Sequence, residues 1–305
     1  MKARLCLVSA ALLVTSCGGQ DHSAAGPLLP ADVRAMASTA DAGAVLELAQ
    51  SVLIAQCMNR RGFSYPLDAN AARADLSTPT AGTSAVSWPE DDEAKAARAG
   101  LAPAEPASRP STALETYVRG LSAGRQQAFS LALNGDPRGG SLITVTLPDG
   151  QQVQQSRESC NAEALQDLYG DLEGYLRGRI TADNVNTIAR ARVTADPAFI
   201  SAERRWRACI SGHGWTVGDQ AELSARVADA GAELVAGERR RLERRAAVLA
   251  ARCNRQGGLS AAGRRLTETA VRAVRAELGS LLDDLSRREQ AALPHARQLV
   301  ADAAP

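Results

Sequence analysis

The sequence predicts a mostly α-helical protein, a multi-helix bundle with one small β-hairpin at about 141–155 and a long irregular Pro/Ala-rich excursion at about 63–110. Three observations carry this reading. Apolar residues recur at three- and four-residue spacing through most of the chain, the period of a helix that buries one face. One run alone, Leu142 to Leu147, alternates apolar and polar residues as a half-buried strand does. Helix boundaries are written into the sequence: Asp196-Pro197 pairs a capping residue with a proline suited to the first helical position, and Gly62, Gly212 and Gly214 stand where helices stop.

The elements follow in order. Lys2 and Arg4 form a short positive region, and Leu5 to Val14 is an apolar run of about ten residues, too short for a membrane helix of about twenty. Val14-Thr15-Ser16-Cys17 then reads as a lipobox, with a branched apolar residue, two small residues and a cysteine. The expectation is a lipoprotein signal peptide over 1–16, lipidation of Cys17 with diacylglycerol and a palmitate-type chain, and a Gly-, Ala- and Pro-rich tether over 17–30. Each buried acyl methylene contributes about 0.8 kcal/mol, so two or more chains anchor stably. The expected location is the extracytoplasmic face of the cell membrane. Cys6 leaves with the signal peptide.

A single disulfide-linked, mostly helical domain is expected over 31–300. Its first helix covers about 31–61, with Leu46, Ala49, Leu53 and Cys57 on the apolar stripe and Gly62 as the stop. The excursion holds one short helix near 90–99, where Glu90-Asp91-Asp92-Glu93 reads as charge at a helix start; it lacks the alternating oxygen ligands of a calcium loop. A helix over 111–134 offers Leu114, Tyr117, Val118, Leu121, Phe129, Leu131 and Leu133 for burial. In the hairpin, Ile143, Val145 and Leu147 share a face and Asp149-Gly150 suits a two-residue turn. Helices then cover about 159–176, 181–194, 197–211, 219–235 and 238–255. A last helix runs over 260–293, striped by Leu266, Val271, Val274, Leu278, Leu281 and Leu285, and stops at Pro294.

Composition narrows the function. Without Lys2 and Arg4, the 35 basic residues fall one short of the 34 acidic ones, so no bulk charge draws the protein to nucleic acid. Aromatic residues make up 3%, which argues against a sugar cleft built from stacked rings. Four cysteines remain beyond the tether: Cys57, Cys160, Cys209 and Cys253. An even count in an oxidising compartment favours two disulfides. Wide spacing without a Cys-x-x-Cys knuckle, and histidines (His22, His213, His295) with no second ligand nearby in sequence, speak against zinc.

An internal echo bears on the pairing. Cys57-Met58-Asn59-Arg60-Arg61-Gly62-Phe63-Ser64 parallels Cys209-Ile210-Ser211-Gly212-His213-Gly214-Trp215-Thr216. Each reads as a helix whose last turn carries a cysteine, a glycine that leaves the helix, and an aromatic that folds back. Equivalent positions disfavour Cys57–Cys209. An out-and-back path through a turn at Ala236-Gly237 favours Cys209–Cys253 with Cys57–Cys160, which would pack Trp206 on the bridge; Cys57–Cys253 with Cys160–Cys209 remains open.

In order along the chain, the lipobox, Cys57-Met58 to Gly62-Phe63, Tyr117 to Leu121, Ala132 to Gly135, Cys160 to Ala164, Asp196-Pro197, Trp206 to Cys209 with Gly212 to Trp215, and Cys253 resemble a family of uncharacterised actinobacterial (high-GC Gram-positive) lipoproteins with four mature cysteines. Ser159 and Ile210 depart from the family's usual glycine and methionine, and neither departure removes a cysteine. The resemblance implies no activity.

The motifs of catalysis are missing. There is no Gly-x-Ser-x-Gly elbow and no phosphate-cradling glycine loop after a strand. Asp283-Asp284 reads as a solvent-facing pair and His213 as a helix-end residue. The arginine run Glu238 to Arg245 crowds like charges on one helix face; it reads as a solvated face, with anionic headgroups or wall polymers as the sharper alternative. The expectation is therefore a non-enzymatic envelope module without cofactor, binding an envelope protein or cell-wall component. The alternative is a wall- or envelope-associated hydrolase, which would need a pocket lined by two or more buried carboxylates. A small-molecule carrier would need a cavity of several hundred Å3.

Overall fold

The computed structural model describes residues 29–77, 86–101, 112–147 and 150–303. The expected signal peptide, Cys17 and the expected tether up to residue 28 lie outside the described residues. The protein is mostly helical, with thirteen helices and one two-stranded antiparallel sheet among the described residues.

The first expected helix is two: α1 (Ala31–Ala37) and α2 (Ala42–Arg60). Asp41 restarts the helix by accepting from Gly43 N. Leu46, Ala49 and Cys57 are buried and Leu53 is half-buried. The excursion is more ordered than its composition suggests. It contains α3 (Ala69–Ser77) and α4 (Glu93–Ala99), and Asp92 caps α4 through Ala94 N and Lys95 N. Between them, the Trp88 indole donates to Thr267 at 2.8 Å and its ring packs at a tilt of 50° against that of Phe199. The fully buried Asn254 side chain donates to the carbonyls of Pro89 and Glu90. Backbone polar groups that would otherwise need water are thus paired.

The 111–134 segment also divides, into α5 (Ala113–Gly120), opened by a Thr112/Glu115 capping box, and α6 (Ala123–Asn134). Phe129 is buried, but Leu131 faces solvent and α5 buries no residue fully. Strands β1 (Leu142–Thr146) and β2 (Gln152–Ser156) pair with Val145 opposite Val153. Ile143, Val145 and Leu147 are buried together as the alternation requires. The closing pair is Leu147 with Gln151, so the connection has three residues rather than two. It ends on Gly150 at φ +85°, a conformation glycine adopts without steric cost.

The next boundary falls elsewhere than expected. Helix α7 (Cys160–Tyr169) stops at Gly170, which has φ +72°, and Asp171 caps α8 (Leu172–Ala195). Gly178, which falls in the expected break, is helical instead and buried against Leu285. Helices α9 (Pro197–Ser211), α10 (Gln220–Gly231) and α11 (Ala236–Gly257) follow, so Ala236-Gly237 opens α11 instead of forming the turn. The last expected helix is two, α12 (Leu259–Glu277) and α13 (Gly279–Asp302), and Pro294 lies inside α13. A proline in a helix interior costs about 3 kcal/mol. Pro294 faces solvent, whereas Ala292, Ala296 and Val300 are buried against α1 and α2; that face continues the helix past the proline.

Two large cores result. One gathers α1, α2, α3 and α13; the other gathers α9 to α12 around Trp206, Ile210 and Leu223. Helix α8 packs on α7 and α13 at one end and on α9 and α12 at the other. Leu29 N donates to the Ala303 carbonyl at 3.2 Å, so the described chain enters beside the end of α13.

Candidate functional site

The four cysteines form Cys57–Cys160 and Cys209–Cys253. The first bridge ties the last turn of α2 to the first residue of α7. Ser159, one residue earlier, caps α7 through Ala162 N. This pairing fixes two walls of a cleft of about 410 Å3 where α2, α7, α8 and α13 meet.

The cleft is built from residues that mean little singly. Tyr169 ends α7 and Tyr175 sits in the first turns of α8. The sharp turn at Gly170-Asp171 stacks their rings, with centroids 3.7 Å apart and planes 6° from parallel. One turn on, Gly178 lets α8 approach α13 so closely that an added Cβ would lie 3.1 Å from that of Leu285. That approach brings Arg179 within 3.7 Å of Glu289 and leaves it 3.2 Å from Asp183. Leu46 and Glu47 of α2 and Leu165 and Leu176 line the rest. The Arg288–Asp171 ion pair at 3.1 Å and a hydrogen bond between His295 Nε2 and Asp167 at 2.8 Å hold α13 to the other wall.

The charges are perturbed accordingly. Burial raises the Glu289 carboxyl above the usual range; Arg179 opposes that and Asp183 reinforces it. Burial pulls the Arg179 guanidinium down, but Asp183, Tyr175, Glu289 and Glu47 more than restore it. Burial also pushes both tyrosines up, Tyr169 the further, so both keep their protons. The result is an apolar, flat-ringed wall beside a carboxylate-rich end, with Glu47, Asp183 and Glu289 around one arginine. Glu289 is part-buried, while Glu47 is exposed. This falls short of the two buried carboxylates that a hydrolase would need.

The other residues singled out in the sequence have structural work. The Glu90–Glu93 run nails α4 down: Glu93 pairs with Arg252 and Arg255, and Asp91 with Arg264 at 2.7 Å. Asp284 pairs with Arg287 and Arg288. On the arginine run, Arg239, Arg240, Arg244 and Arg245 are exposed. His213, expected to stand alone, lies with a ring nitrogen within 4.8 Å of the sulfurs of Cys209 and Cys253. The signal available in the sequence was the four-residue spacing from Cys209, which puts both on one side of a helix end.

Comparison with protein-family models, with curated proteins and with solved structures finds no match. No described helix is long and apolar enough to cross a membrane.

Proposed function

We propose that the chain is a lipid-anchored extracytoplasmic binding protein of the lipoprotein type it resembles, and that the cleft between α2, α7, α8 and α13 seats an amine-bearing envelope component. The observation that carries the binding reading is the composition of that cleft. Stacked tyrosines and leucines offer a flat apolar wall, and carboxylates outnumber the single arginine at its end. A compact cation on a flat apolar body satisfies both, because the ring covers apolar surface while the ammonium meets carboxylate in a partly desolvated site. The anchor rests on the Val14–Cys17 lipobox.

Two measurements test the reading. Replacing Cys17 with Ala should release the protein from the membrane fraction and abolish lipid labelling; retention in the membrane together with an unlabelled parent would refute the anchor. For the cleft, 2-phenylethylamine titrated into the purified lipoprotein in detergent micelles should perturb the tyrosine absorbance saturably. Binding should strengthen as pH rises and Glu289 ionises, and should weaken at least about tenfold in Glu289→Gln, equivalent to about 1.4 kcal/mol. Equal binding by the variant refutes the cleft.

A further inference from the structure

The Cys209–Cys253 bridge differs from an inert staple in what stands beside it. Cys253 is fully buried, but Cys209 is half-exposed and His213 exposed, so the group opens on one side to solvent. Both sulfurs and a ring nitrogen of His213 lie within 4.8 Å of one another. The imidazole is oriented as well as near. Its Nδ1 lies 2.9 Å from the Cys209 carbonyl, which can only accept, so in the neutral ring Nδ1 carries the proton and Nε2 the lone pair. A histidine whose second nitrogen donates to a backbone carbonyl is the usual form of a metal-binding imidazole. Gln256 adds an oxygen 3.6 Å from the Cys209 sulfur.

We infer that, when the bridge is reduced, Cys209, Cys253 and His213 form a site for a thiophilic d10 cation of the zinc type, with a fourth position open to water. The chemistry balances. A dithiol reductant delivers two electrons and two protons to the bridge and leaves as its own disulfide; metal binding then expels the two thiol protons. Two thiolates and an imidazole are the ligand set of open, three-residue zinc sites. The sulfurs must separate to about 3.8 Å, the edge of a tetrahedron with metal–sulfur bonds of about 2.3 Å. Cys209, on the solvent side, has room for that displacement. The helices stay together without the bridge because Trp206, Ile210, Leu223 and Ala250 remain packed between them. At the first bridge the corresponding position is Arg61, a cation that repels metal, and both sulfurs are buried.

The test uses the full-length lipoprotein in micelles, reduced with a phosphine and titrated anaerobically with Co(II). One equivalent should bind with an intense thiolate-to-cobalt charge-transfer band that Zn(II) abolishes. The oxidised protein should show no band. His213→Ala, which leaves the bridge intact in the oxidised form, should weaken Co(II) binding by at least about tenfold, the lower end of what loss of a supporting metal-site partner costs. The band should persist in Cys57→Ala. The proposal is overturned by reduced protein without the band, by a His213→Ala variant with unchanged affinity, or by reduced protein that unfolds and is not restored by metal.

Discussion

Cys57 and Cys209 stand at the same place on helices that end the same way. After Cys57, Gly62 N donates to the Asn59 carbonyl at 3.0 Å and Phe63 N to that of Met58 at 2.9 Å. After Cys209, Gly214 N donates to Ser211 at 3.0 Å and Trp215 N to Ile210 at 3.3 Å. Gly62 and Gly214 have φ of +77° and +86°. Each end is a Schellman cap in which a left-handed glycine lets the chain turn back and satisfy the last carbonyls, and Met58 and Ile210 are buried beneath. The surroundings then diverge. Cys57 meets the start of α7, and beside the bridge Glu163 gathers Arg60 and Arg61. Its Oε2 lies 3.2 Å from the Cys57 sulfur, which has no proton to donate once bridged. Cys209 meets the last turns of α11, beside His213 and Gln256. A local stop signal fixes how a helix ends, but its partner decides what the end is for. The first bridge shapes a cleft, and the second joins helices close in sequence and carries an imidazole.

Removing each bridge separates these roles. Loop-closure entropy assigns about 4.7 kcal/mol to a bridge closing 103 residues and about 4.0 kcal/mol to one closing 44, both near the upper end of the usual 2–5 kcal/mol. Cys57→Ala/Cys160→Ala should therefore lower Tm by about 10 °C, at 2–4 °C per kcal/mol for a domain of this size, and Cys209→Ala/Cys253→Ala by slightly less. The sharper contrast lies in binding. Only the first double variant should lose 2-phenylethylamine, because only the first bridge holds α2 against α7. If both variants lose it at a temperature where both are folded, the division of roles fails.

Much of this fold was legible because its signals are local. The Leu142–Leu147 alternation, the Asp196-Pro197 start and the glycine stops act within one turn of helix or one strand. The equivalence of helix ends that the sequence displays excludes Cys57–Cys209 alone; the out-and-back path chose the observed pairing of the remaining two, although Ala236-Gly237 opens a helix instead of turning the chain. What the sequence concealed depends on packing. Pro294 reads as a stop, and only the buried Ala292, Ala296 and Val300 around it show why the helix continues. Leu131 looks like core but points away from it. The short helix expected near 90–99 is α4, but Trp88 and Pro89 just before it sit in a stretch whose composition suggests a loop, and their partners, Thr267 and Asn254, lie more than 150 residues on. The cleft was invisible for the same reason. Tyr169 and Tyr175 stack only because Gly170 breaks the helix between them, and Glu289 in Arg287-Arg288-Glu289 looks like any residue on a solvated face until Gly178 draws α8 against α13.

The smallest effect expected is the one that tests the charge of the cleft directly. Burial holds the Glu289 carboxyl above its usual range, with Arg179 at 3.7 Å opposing the shift. The folded protein thus binds this proton more tightly than the unfolded chain, whose carboxyl titrates near about 4.3. Between that value and the raised one, folding is favoured by protonation. Glu289 therefore contributes stability that is fully present below the unfolded pKa and is lost as pH rises through the folded pKa. The acids held low by arginines, such as Glu93 and Asp284, act in the opposite sense. They are common to wild type and variant, so a difference measurement removes them. Denaturant unfolding of wild type and Glu289→Gln from pH 4 to pH 7 should show the variant gaining on wild type as pH rises. The gain should be slight, since the Glu289 side chain keeps 30% of its exposure and water screens the remainder. A flat difference across this range would mean that Glu289 is hydrated like any surface acid, and the carboxylate-rich end would lose its claim on a cation.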